Sequence, residues 1–172
     1  MELSSLLGIV VLYAILQSIF GVGLLLFGTP TLLLLGYHFD QALGYLLPCS
    51  MAVNLLQVWG SWKSVSLKKD FIWCCLPFVV IGLLVAIRLE GSLNVRFLVG
   101  FLLLTTAVLR TSRILYGHLS RRFRFLARPS LALIGIVHGL SNMGGGLLTI
   151  FVSSLYTDKK ALRGNIAYGY LW

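Results

Sequence analysis

The residues best placed to do chemistry lie in His138-Gly139-Leu140-Ser141-Asn142-Met143-Gly144-Gly145-Gly146-Leu147-Leu148-Thr149, a small and polar break between two apolar runs. Ser141 and Asn142 offer hydrogen-bonding side chains beside Gly144, Gly145 and Gly146, which expose backbone. A helix that starts at such a break directs unpaired N–H groups and the positive end of its dipole, about half a charge, outward. That arrangement suits holding a small anion rather than making or breaking covalent bonds. Close helix packing also recruits Gly, Ser and Asn, and it is the competing reading of each glycine taken singly.

The stretch has an echo. Gln17-Ser18-Ile19-Phe20-Gly21-Val22-Gly23-Leu24 through Pro30 repeats the plan, with Gly21 matching Asn142 and Gly23 matching Gly144. Glycine-interrupted apolar segments at corresponding positions of two halves point to a transporter's substrate site, because broken helices free backbone groups at membrane depth. The candidate binding residues are therefore Gly21, Gly23, Ser141, Asn142, Gly144, Gly145 and Gly146. Gln17, Ser50, Asn54, Gln57 and His138 are candidates for lining the path. Ser50, Asn54 and Gln57 recur at intervals of four and three, so they share one helix face. That face either meets a neighbouring helix or lines the route. His138, one turn before the break, reads as a neutral packing residue or as a proton carrier. No nucleophile, base and orienter set points to an enzyme, and no ligand cluster points to a metal or another cofactor.

These residues need helices that span a membrane. Hydrophobic residues make up 58% of the 172 and charged residues 11%, against roughly 45–50% and about 25% in soluble domains. The formal charge of +9 collects in short runs between apolar stretches, which is how topology is encoded rather than how nucleic acid is read. Leu3 to Gly36 is nearly uncharged and, as one straight helix, would be about 51 Å long against a hydrocarbon core of about 30 Å. It must break, and Gly21-Val22-Gly23 is where. The start lacks a positive n-region, so the first apolar segment is not read as a cleaved signal. Full spans follow at Gln41 to Trp62, Phe71 to Ile87 and Arg96 to Leu109. Lys63, Lys68 and Lys69, then Arg110 to Arg128, then Lys159, Lys160 and Arg163 mark cytoplasmic ends. Pro129 to Tyr156 has basic flanks on both sides, so it predicts a hairpin entered from the cytoplasm, whereas the first hairpin is entered from outside.

The expectation is an all-α, polytopic integral membrane protein of the cytoplasmic (inner) membrane. It is an inverted repeat with glycine-broken re-entrant helical hairpins. Residues 1–116 form the first repeat, 117–127 a basic cytoplasmic loop and 128–172 the start of the second repeat. A complete second unit would reach roughly residue 240, so the second repeat reads as incomplete, a fragment or a chain finished by a partner. Cys49, Cys74 and Cys75 lack zinc-site spacing and read as buried thiols. A membrane thiol-redox protein using them, or a non-transporting membrane subunit, are the alternatives to transport.

At these residues the sequence resembles the TauE/SafE sulfite exporter family of membrane transporters, whose halves each begin with a glycine-rich segment followed by proline and a small, polar span. Gly21-Val22-Gly23, Pro30 and Ala42-Leu43-Gly44 match the first copy. Gly139 to Gly146, with Ala161 and Gly164-Asn165 downstream, matches the second. Leu24 and Leu25 depart from the pattern, and Phe151 stands where a proline would pair with Pro30. The resemblance implies movement of small organosulfur or sulfite-like anions across the bilayer by alternating access. Substrate, direction, coupling ion and homo-oligomeric state stay open.

Overall fold

Leu3–Phe20 (α1) and Leu24–Leu34 (α2) are the limbs of the first broken segment. The computed structural model describes residues 3–20, 24–88 and 94–171. Gly21 and Gly23 therefore lie outside the described residues, and so does the outer loop expected near Glu90. The fold is all-α, with no strand among the described residues. Phe39–Ser61 (α3) follows, started by Gln41, whose side chain accepts the His38 N–H at 3.2 Å. A short 3₁₀ turn at Trp62–Ser64 ends it.

Lys68–Cys74 (α4) and Leu76–Arg88 (α5) form the next apolar stretch, interrupted at Cys75. Pro77 explains the interruption, since its ring lacks an N–H and crowds the preceding turn. Val95–Thr111 (α6) is capped by Asn94, whose side chain accepts the Phe97 N–H. Phe39–Ser64 and Lys68–Ala86 are long and apolar enough to cross a membrane. Apolar side chains cover much of the outside, with Trp59 86% and Leu56 74% exposed, as lipid rather than water favours.

The stretch read as a basic loop is helical. Arg113–Phe125 (α7) leaves α6 at a 100° bend, with Ser112 capping its start through the Leu115 N–H. Tyr116, Leu119 and Phe123 recur at helical spacing and pack inward, and Phe123 meets Phe151 edge to face at 5.8 Å. Arg121 and Arg122 are exposed. Such a sharply turned, basic, amphipathic helix has the form of one lying along a membrane surface.

Ala127–Ser141 (α8) and Gly144–Leu155 (α9) form the second broken segment, and Lys159–Gly169 (α10) follows. Broken pair then helix thus occurs twice, as α1, α2, α3 and as α8, α9, α10, with α3 and α10 packed together. The three basic stretches gather at one end. Arg128 pairs with Asp70 at 3.5 Å, and Arg124 donates twice to the Ser154 carbonyl. Asn165 accepts the Ser66 and Leu67 N–H groups and donates to the Ser64 carbonyl. Ser66 and Tyr156 share a hydroxyl contact of 2.6 Å.

Helices α5 and α8 are the most closely joined, because glycines let backbones touch. A Cβ on Gly135 would stand 2.5 Å from the Cys75 carbonyl, one on Gly82 2.6 Å from the Ile136 carbonyl, and one on Gly139 would strike the Val79 carbonyl. This is the small-residue packing of membrane helices, and it gives Gly139 a structural reason to be glycine. Gly139→Ala is expected to lower stability by about 1 to 3 kcal/mol through overpacking against unyielding backbone. Gly117→Ala, in open space on α7, should raise it by up to about 1 kcal/mol. Thermal unfolding in detergent reads both, and equal effects would overturn the packing account.

Candidate functional site

Two groups of buried polar side chains lie against the broken segments, in positions where an unpaired polar atom is costly. The first is built on Gln17, near the end of α1. Its Nε2 donates to Asn54 Oδ1 at 2.9 Å and to Ser50 Oγ at 3.3 Å, and its Oε1 accepts the Leu24 N–H at 3.1 Å. Leu24 is the first residue of α2. The Gln17 side chain therefore caps the helix after the break while its amide ties α1 to α3. Asn54 Nδ2 reaches on to Ser50 Oγ and to the Tyr170 carbonyl at 3.5 Å. Gln57 Nε2 donates to the Gln17 carbonyl at 3.1 Å.

Ser50, Asn54 and Gln57 do share a face, as their spacing predicts, and the face joins helices. Ser50, Asn54 and Gln17 are buried and mutually bonded, while Gln57 is half-buried with its Oε1 unpartnered among the described residues. Gln17 and the α3 face are thus brought into one cluster.

The second group sits at the α8–α9 break. Asn142 adopts a left-handed backbone, φ 59° and ψ 13°, a conformation asparagine tolerates better than most residues. Its N–H donates to the His138 carbonyl at 2.7 Å, and its Nδ2 to Thr29 Oγ1 at 3.4 Å. The second break therefore touches α2, the second limb of the first broken segment. Ser141 Oγ donates to the Val137 carbonyl and accepts the Met143 N–H at 3.2 Å, so its hydroxyl holds the turn itself.

Gly144, Gly145 and Gly146 open α9 with first-turn N–H groups that have no acceptor within their own helix. All three are buried. A Cβ on Gly144 would meet His138 Cβ at 2.5 Å, one on Gly146 Thr106 Cγ2 at 2.5 Å, and one on Gly145 would fall on the Tyr170 hydroxyl. Each glycine is met by a different helix, α8, α6 and the end of α10. The void between His138, Gly144, Gly145 and Tyr170 is only about 10 Å³, about one water probe. The break is closed in this structure.

His138 lies edge-on to the Tyr170 ring, centroids 6.3 Å apart. Thr29 and Tyr170 are the residues that sequence reasoning passed over. Thr29 follows Gly28 and precedes Pro30 in an apolar limb, the one local sign of it. Thr106 and Thr105 bond the carbonyls of Leu102 and Phe101 within α6, as expected of threonine in a membrane helix. Nothing local marks Tyr170, whose hydroxyl is buried without a partner among the described residues. Cys49, Cys74 and Cys75 are free thiols, Cys75 buried.

A family model described as sulfite exporter TauE/SafE matches residues 6–168 of this chain. No curated protein and no solved structure gave a match.

Proposed function

Since the chain belongs to the TauE/SafE sulfite exporter family, a family of membrane transporters, we propose that it takes part in moving small organosulfur or sulfite-like anions across the cytoplasmic membrane. The observation that carries this reading is the left-handed Asn142, which breaks the second segment against Thr29 of the first. Asn142 Nδ2 and the N–H groups of Gly144, Gly145 and Gly146 are the donors offered to an anion there, and the α9 dipole favours negative charge at the same point. Gly21 and Gly23 are the corresponding positions of the first break. Ser141 contributes by fixing the turn.

The closed break fits one stage of alternating access. An anion of sulfite size needs far more than about 10 Å³, so binding requires Tyr170 or α9 to move. The cluster around Gln17, Ser50 and Asn54 holds the start of α2 while the second segment opens. His138 lines the void and senses the same movement through its contact with Tyr170. A coupling ion and a homo-oligomeric assembly are consistent with this scheme.

The test is saturable binding of sulfite and small sulfonates to the detergent-solubilised chain, native against Asn142→Gly. Glycine keeps the left-handed turn and removes only the amide. At least tenfold weaker binding with the fold retained is expected. Equal affinity in the variant would remove Asn142 from the site, and no binding to the native chain would sink the reading for this polypeptide.

A further inference from the structure

A second cavity, of about 380 Å³, opens beside the end of α1 and the start of α10. Its cationic wall is Lys159, Lys160 and Arg163, and its opposite wall is Ser18, Gln57, Gly60 and Ser61. The size is that of a small-molecule pocket. It lies at the end of the molecule where the three basic stretches gather. Ser18, one of its lining residues, is three residues before Gly21.

The charges here are poorly placed for folding. Lys159 and Lys160 stand in the first turn of α10, where the helix dipole disfavours cations. Among the described residues neither they nor Arg163 forms an ion pair. The adjacent Asp158 spends Oδ2 on the Ala161 N–H at 2.8 Å. Arg163 donates Nη2 to the Ile19 carbonyl at 2.8 Å near the end of α1, and its other N–H groups have no acceptor among the described residues. A preference for positive charge on the cytoplasmic side explains why such residues occur in this loop. It does not explain their convergence on a cavity.

The facing wall adds acceptors. Ser18 and Ser61 already donate to the Ala14 and Gln57 carbonyls, so their oxygens are left to accept. Gln57 Oε1 is buried and has no donor among the described residues, a state that a buried amide oxygen rarely keeps. A ligand that satisfies both walls is anionic and also carries an O–H or N–H.

We propose that this cavity binds a small protonated oxyanion, such as hydrogensulfite or hydrogenphosphate, or the phosphate of a hydroxyl-bearing anionic lipid headgroup. The lysines and Arg163 take the charged oxygens, and the Ser18 and Ser61 oxygens accept the ligand's hydroxyl. On the transport reading, on which this last step rests, the site stages the anion next to the first break. The binding itself does not depend on that reading.

Gly60 supplies the decisive variant. A Cβ there meets nothing within 4 Å, so Gly60→Leu starts from open space at a lining position, adds apolar bulk to the wall and improves the helix. The experiment is calorimetric titration of the full chain in detergent with inorganic phosphate, sulfite and short-chain phosphatidylglycerol. Gly60→Leu and, separately, Lys159→Gln with Lys160→Gln are each expected to weaken phosphate or lipid binding at least tenfold without lowering the melting temperature, while Gly117→Ala, in open space on α7, changes it less than twofold; Asn142→Gly is run beside them to identify sulfite held at the second break. Loss of phosphate or sulfite binding identifies a free anion as the occupant, and loss confined to the lipid identifies the headgroup. Native affinity in Gly60→Leu overturns the proposal, as does absence of binding by all three probes. Binding abolished only by Asn142→Gly overturns it too, while upholding the site at the second break.

Discussion

Gln17→Leu is expected to cost about 2 to 5 kcal/mol, since it deletes three hydrogen bonds worth about 0.6 to 1.7 kcal/mol each between membrane helices. The side chain it removes caps the Leu24 N–H and donates to Ser50 and Asn54, all three of them buried. Leucine fits the apolar volume, so the loss comes from orphaned polar groups rather than from a cavity. Asn54 keeps its Nδ2 bonds to Ser50 and the Tyr170 carbonyl, which keeps the cost at the lower end if Asn54 alone is affected. The start of α2 has no such second support. Hydrogen exchange should therefore show the Leu24 amide opening in the variant before the amides of α3 do. A stable variant with a protected Leu24 amide would mean that the cluster is not what holds the first break.

That cluster also shows what sequence can and cannot reach. The spacing of Ser50, Asn54 and Gln57 sets them on one helix face whatever surrounds them, so the face was legible. Its partner was not, because nothing local says which helix Gln17 will meet across α1 and α3. The broken segments were legible for a simple reason: about 30 Å of hydrocarbon cannot hold a 34-residue apolar run as one helix, and glycine marks where it yields. The second break falls at Asn142-Met143, at the edge of the glycine triplet. Asparagine provides the left-handed turn there, and the glycines belong to the first turn of α9.

Charge hid a helix. Residues 113–125 carry four arginines, and a reading led by topology makes that a loop. The spacing of Tyr116, Leu119 and Phe123 was the signal for α7. The bend at Cys75 followed from Pro77, a cue that length and hydropathy overlook. Close contacts such as Gly139 on Val79 and Gly145 on Tyr170 join residues far apart in sequence and had no local trace.

Gly145→Ala is expected to be among the most damaging single-methyl changes in the chain. Its Cβ falls on the Tyr170 hydroxyl and on the ring behind it. The ring is rigid, and its residue is held by its own N–H to the Ile166 carbonyl and by Asn54 at its carbonyl. Overpacking of this kind costs about 1 to 3 kcal/mol. Tyr170→Leu should recover much of that loss in the double variant, with a coupling of about 0.5 to 3 kcal/mol as contacting pairs give. Additive losses would show that α9 and the end of α10 do not meet.

Tyr170→Phe separates packing from function at the same contact. Removing a buried hydroxyl that has no partner among the described residues should stabilise the protein by about 1 to 3 kcal/mol. If the hydroxyl has a role when the break opens to an anion, the more stable variant will bind sulfite more weakly than the native chain. A gain in stability with unchanged affinity would make Tyr170 a packing residue alone. A stability cost retained at a binding site is the expected mark of a group kept for its ligand.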